Sequence, residues 1–162
     1  MIINVKTITI MKILFVCLGN ICRSPLAEGV LKKMCAERGL DWEIDSAGLI
    51  DYHKGELPDP RMLRTAERHG YILTHRSRPI ESADFSKFDY IIGMSDYINS
   101  RILRDAPVSA PLRQKVRNIT EYFITTEGYD EVPDPYCGTT RDFEIAVQLI
   151  EDACKGILQK LS

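Results

Sequence analysis

The stretch ILFVCLGNICRSP, residues 13–25, decides how the chain reads. Its first half, with Lys12 in front, is short, apolar and rich in β-formers, the pattern of a strand buried on both faces. Ser24 then suits a helix N-cap, and Pro25 suits the first helical position, where its missing N–H costs nothing. Ala27, Val30, Leu31 and Met34 recur at helical spacing until Gly39. Between strand and helix stand two thiols, Cys17 and Cys22, and then Arg23. By spacing alone the thiols could serve a disulfide, a metal, an inert buried pair or a nucleophile facing an anion.

Outward from this stretch the pattern repeats. WEIDSAG (42–48) and FDYIIGM (88–94) read as second and third buried strands, and QKVRNI (114–119) as a fourth. Helices are expected from Pro60 to a stop at Gly70, near 96–105, and from Thr139 onward. The last carries Phe143, Val147, Ile150, Cys154, Ile157 and Leu161 on one face. Strands alternating with helices predict one three-layer α/β domain over residues 11–162, with a four-stranded parallel sheet covered on both faces. Residues 1–10 form an extension that reads as a tail in preference to an edge strand. In such sheets ligands sit beyond the carboxyl ends of the strands, which is where Cys17 lies.

Bulk composition narrows the function. A chain of 162 residues with 44% apolar and 27% charged residues can bury a core without staples. A net charge of −2 supplies no global basic field, so nucleic acid is not an expected partner and any anion site must be local. The five cysteines make an odd count without paired CxxC spacing, which fits neither a secreted disulfide framework nor zinc. Free thiols point to a reducing compartment, and the N-terminus lacks signal-peptide features. No apolar run approaches membrane-spanning length. The expected location is the cytoplasm, without membrane partners.

A loop entering a helix N-terminus aims backbone N–H groups and a positive dipole end at one spot. Gly19 permits a tight turn, Asn20 tolerates a left-handed backbone, and Arg23 adds a fork for two phosphate oxygens. The same field stabilises a thiolate at Cys17, poised for in-line attack on phosphorus. Expelling a phenolate or alkoxide needs an acid. VPDPYCG (132–138) offers Asp134 between two stiffening prolines, and that carboxyl could later take a proton from water. Cys22 is either a small buried hydrophobe or a thiol that closes a reversible disulfide with oxidised Cys17. Cys35 and Cys154 read as core, and His53 and His69 as solvent-facing.

These residues resemble the low-molecular-weight protein tyrosine phosphatase family. VCLGNICRSP is similar to its phosphate loop, DPY (134–136) to its acid loop, and IDSAG (44–48), PDPR (58–61) and HRSR (75–78) extend the likeness across residues 12–160. The resemblance implies a flavodoxin-like phosphotyrosine phosphatase I fold that needs no cofactor or metal. It implies Cys17 as nucleophile, Arg23 as phosphate and transition-state ligand, and Asp134 as general acid and then base. Leu18, Gly19, Asn20, Ile21, Cys22 and Ser24 would form the phosphate-binding loop, with Asn20 and Ser24 orienting the thiolate. Ser46 and His75 would support Asn20, and Tyr52 and Tyr136 would wall the cleft. The implied substrate is a phosphotyrosine-containing protein or a small aryl phosphate. Phosphate-like oxyanions would inhibit, and the chain would act as a monomer or weak dimer.

Two departures from the family stand out. Cys137 follows Tyr136 where many animal members have a second tyrosine, which puts regulation by phosphorylation of such a pair in doubt. Ser95, with Asp96 next, stands where an acidic residue is frequent, so that carboxylate's supporting role is lost or shifted by one. Rival readings are a thiol-relay arsenate reductase, for which 76–105 lacks cysteines, and a phosphoarginine phosphatase, against which Ile21 speaks. A phosphocysteine carrier or a phosphotyrosine-binding module would have no use for Cys17, Arg23 and Asp134 together.

Overall fold

The computed structural model describes residues 9–106 and 109–162. In chain order the first elements are β1 (Lys12–Cys17), α1 (Arg23–Glu37), β2 (Glu43–Gly48), α2 (Pro60–Arg68), α3 (Ser82–Lys87) and β3 (Tyr90–Gly93). Then come α4 (Asp96–Asp105), α5 (Ala110–Arg113), β4 (Val116–Asn118), a 3-10 turn (Ile119–Tyr122) and α6 (Thr140–Leu161). The strands pair in the order β2-β1-β3-β4, all parallel.

β1 is central because nothing in it suits an edge: Ile13, Leu14, Phe15 and Val16 are wholly buried. Such burial stabilises by roughly 1.5–3 kcal/mol per side chain. Its alternate residues feed two cores. Ile13 and Phe15 pack with Leu26 and Val30 of α1 and with Phe143 and Ile150 of α6. Leu14 and Val16 pack with Phe85 of α3, Phe88, and Ile98 and Ile102 of α4. This is the three-layer α/β architecture read from the sequence. Because β2 and β3 flank β1, the chain reverses its direction of travel across the sheet there. The loop after β1 therefore opens at a topological switch point.

The end of β2 closes on that loop. Cys17 pairs in register with Gly48, and Leu49 N donates to Leu18 O at 2.9 Å. A Cβ at Gly48 would stand 2.9 Å from Leu18 O, so this close approach requires glycine.

The start of α1 differs from the sequence reading. The helix begins at Arg23, its N-cap position is Cys22, and no side chain caps it. Ser24 lies inside the first turn, and Pro25 is the third helical residue, where an N–H is still unpaired by the helix. The serine hydroxyl is committed to the Cys17 thiol instead, which leaves the helix's first amides open to a ligand. The short α3 and α5 and the 3-10 turn were not foreseen, and β4 is shorter than QKVRNI. Residues 1–8, most of the proposed tail, lie outside the described residues. Ile10 is exposed and belongs to no strand.

Candidate active site

Cys17 ends β1 with its thiol almost fully buried. Its Sγ lies 3.0 Å from Ser24 Oγ. That hydroxyl accepts from Asn20 Nδ2 at 2.8 Å, and sulfur and Ala47 O, the latter at 3.4 Å, are the two acceptors within reach of its own proton. Asn20 is the hub. It adopts φ +57°, the left-handed conformation that asparagine tolerates, and is 1% exposed. Its Nδ2 also donates to Ser46 Oγ at 3.0 Å, and its Oδ1 accepts from His75 Nε2 at 2.8 Å and Arg78 N at 3.0 Å.

The ring closes through a residue the sequence reading missed. Glu28 Oε1 accepts from Ser46 Oγ at 2.8 Å and lies 3.1 Å from His75 Nδ1. Lys32 Nζ holds the other carboxylate oxygen at 2.8 Å. Burial alone would push the Glu28 carboxyl up, yet the bonds to His75 and Lys32 prevail and hold it below its ordinary range. The available signal was an acidic residue on the otherwise buried face of α1, beside Ala27 and Leu31.

Arg23 is 5% exposed at the first position of α1. Its Nη1 donates to Val132 O at 3.0 Å, and its Nη2 lies 3.5 Å from Asp134 Oδ2. Val132 N in turn donates to Met94 O at 2.9 Å, tying the 132–138 loop to the end of β3. Two prolines and these bonds hold the half-exposed Asp134 above the phosphate loop. The cleft enclosed is about 320 Å³. Cys17, Leu18, Gly19, Ile21, Cys22 and Arg23 form its floor, and Tyr52 and Tyr136 stand at its walls with Asp134. Asn20, Ser24, Ser46 and His75 stand behind the floor, so every site residue named from the sequence belongs to this one assembly.

His53 corrects the sequence reading. Its side chain is 17% exposed and lines the cleft. Its ring meets Tyr52 edge-on at 4.8 Å, and Nδ1 pairs with Glu56 Oε2 at 2.7 Å. The turn at 51–56 is pinned by Gly55 N to Ser77 O, which folds His53 inward over Gly19. His69, in contrast, is exposed. Burial pushes the Cys22 thiol up, with the charges of Asp59, Cys17 and Asp134 acting the same way, so Cys22 stays protonated. Ser95 Oγ caps α4 by accepting from Ile98 N at 3.1 Å. Asp96 accepts from Asn118 Nδ2 at 2.9 Å, so this carboxylate serves β4.

A larger groove, about 1120 Å³, lies at the opposite ends of the strands beside Ile10, Trp42, Tyr90 and Leu161. Its described lining holds no cysteine or histidine. No helix among the described residues is long and apolar enough to cross a membrane.

Residues 12–162 match the family model for low molecular weight phosphotyrosine protein phosphatase. The phosphatase of that name from Sus scrofa is 36% identical over 151 residues, which cover 92% of this chain and 94% of the relative. A protein tyrosine phosphatase from Entamoeba histolytica, crystallised with Hepes in its active site, superposes with a TM-score of 0.89 at 40% identity. The match covers 93% of this chain and 96% of that one. A drosophila arginine phosphatase superposes at 0.85 with 35% identity, over 92% of this chain and 96% of its own. On sequence and on structure alike, the chain belongs to the low molecular weight phosphotyrosine protein phosphatase family.

Proposed function

We propose that this chain hydrolyses phosphotyrosine and related aryl phosphate monoesters through a cysteinyl-phosphate. The observation that carries the reading is Cys17 Sγ at 3.0 Å from the Ser24 hydroxyl, on the floor of a cleft overhung by Asp134. The contact between the two side chains orients the sulfur within the cleft. The uncapped N-terminus of α1 and the Arg23 guanidinium face the phosphoryl oxygens and neutralise charge as it builds in flight. Sulfur attacks phosphorus in line, the S–P bond forms, and the P–O bond to the phenol breaks. Asp134 delivers a proton to the departing oxygen. The resulting carboxylate then takes a proton from water, whose oxygen attacks phosphorus and releases phosphate and the Cys17 thiolate.

Thiolate attack with Arg23 and backbone amides supplying the electrostatics has no step that calls for a metal. Inorganic oxyanions fit the same cradle and would compete with substrate. The catalytic domain of this reading is residues 11–162, acting in the cytoplasm as the free thiols suggest. Cys22 lines the same cradle. Once peroxide has converted Cys17 to a sulfenic acid, the Cys22 thiol can displace water from it and close a disulfide. Thiol titration after peroxide would then show two groups lost, reversibly, and one in a Cys22→Ser variant.

Replacing Cys17 with Ser is expected to abolish turnover while phosphate binding, measured by calorimetry, persists. Undiminished turnover in that variant would end the mechanism. The drosophila relative raises phosphoarginine as a second substrate class. Apolar Ile21 and the two tyrosine walls favour a flat aryl group. A steady-state panel of phosphotyrosine, phosphoserine and phosphoarginine peptides plus arsenate separates these, with phosphotyrosine expected to lead.

A further inference from the structure

The segment Pro58-Asp59-Pro60-Arg61 takes no part in the chemistry above, yet it lies between the two loops that do. Asp59 N donates to Ile21 O at 2.8 Å, which bonds the start of α2 to the phosphate loop. The Asp59 carboxylate accepts from Arg61 N at 2.8 Å, from Nε at 3.1 Å and from Nη2 at 2.8 Å. The planar guanidinium fixed by this fork lies 4.8 Å from the centre of the Phe143 ring and 5.4 Å from that of Tyr136. Phe143 is wholly buried at the start of α6. Tyr136 belongs to the acid loop, and its backbone N donates to Asp134 Oδ1 at 3.2 Å. An unbroken series of contacts thus runs from Ile21 through Asp59, Arg61 and Tyr136 to Asp134.

We propose that Arg61 is a positioning residue that acts through Tyr136 to hold the Asp134 carboxyl at its working height over the phosphate loop. The proposal rests on the reading of Asp134 as the acid. Arg23 also touches Asp134, but a phosphoryl group draws the Arg23 guanidinium toward its own oxygens. The acid loop then needs a second anchor that the substrate does not compete for. Arg61 meets that need because it does not line the cleft. A planar, always-charged group can be gripped by a carboxylate along one edge and still lie over two rings, so arginine suits this place better than lysine.

The test compares kcat/KM for phenyl phosphate, whose leaving group needs a proton, with that for tetrafluorophenyl phosphate, whose leaving group does not. Arg61→Ala keeps the backbone N–H that Asp59 caps, so α2 retains its start. It is expected to lower phenyl phosphate kcat/KM about tenfold, the scale of a small misplacement, and the fluorinated substrate far less. Arg61→Lys keeps the charge over the rings without the fork and should give a smaller drop of the same kind. It carries the test if the alanine variant unfolds. In an Asp134→Ala background, Arg61→Ala should cost phenyl phosphate nothing further. An equal fall for both substrates, or an undiminished fall in that background, overturns the positioning role and leaves the acid assignment standing. If Asp134→Ala alone treats both substrates alike, the acid assignment fails, and the proposal with it.

Discussion

Asn20 carries two burdens that are usually met by different residues. Its backbone is left-handed and its side chain is the hub of a buried polar ring, so neither glycine nor a larger amide could replace it without loss. The two burdens separate by mutation. Asn20→Ala and Asn20→Gly delete the same hydrogen bonds and should lower kcat/KM alike, because Ser24 loses the donor that orients its hydroxyl toward sulfur. Their stabilities should differ, since a Cβ in the left-handed region costs about 1 kcal/mol more than glycine there. Urea unfolding of the pair reads that difference. Equal stability would mean that the loop relaxes out of its φ +57° conformation when the side chain is gone. Cys22 shows the opposite economy. It sits in the same cradle as Cys17, but burial and neighbouring carboxylates keep its proton on, which leaves Cys22 a poor nucleophile.

Elements were legible where their hydrophobicity had to be. β1 reads as a buried strand because every position after Lys12 is apolar on both faces, and α6 because its stripe of Phe143, Val147, Ile150 and Cys154 repeats along the helix. α3 and α5 escaped notice because six and four residues are too few to show a period. Ser24 misled for a different reason. Its position before Pro25 has the local chemistry of an N-cap, but the Cys17 thiol and Asn20 claim its hydroxyl, a tertiary contact that no window of sequence displays. His53 was misplaced likewise, since its burial comes from the pinning of the 51–56 turn to Ser77. One packing contact is equally hidden. Gly156, in the middle of α6, lets the helix lie against the 3-10 turn, where a Cβ would fall 1.7 Å from Tyr122 O. Alanine is the better helix former by about 1 kcal/mol. Gly156→Ala should nonetheless destabilise the protein by roughly 1–3 kcal/mol, because backbone cannot yield to backbone cheaply. Thermal unfolding decides the sign, and a raised Tm would show that α6 can slide away from the turn.

At the scale of the whole molecule, stability and catalysis share one buried carboxylate. Glu28 leaves α1 to reach Ser46 on β2 and His75 on the segment that follows α2, so it joins three parts of the chain directly behind the phosphate loop. Its carboxyl is held below its ordinary 4.5 in the folded state. Between that lowered value and 4.5 the unfolded chain binds more protons than the folded one, so stability rises with pH there. The contribution is complete above about 4.5 and disappears as pH falls through the folded value. Glu28→Gln keeps the shape but not the charge. At pH 7 the variant should be less stable by about 2 kcal/mol, the loss expected for hydrogen bonds to a buried charged group. As pH falls from about 4.5 through the lowered folded value the wild-type carboxyl protonates too, and the gap between the two proteins should close. Chemical unfolding at a series of pH values from 7 to 3 measures this gap. A gap that stayed constant across the series would assign the loss to packing rather than charge. Activity is predicted to fall with stability at pH 7, because His75 and Ser46 then lose the partner that fixes Asn20, and through Asn20 the hydroxyl that faces Cys17.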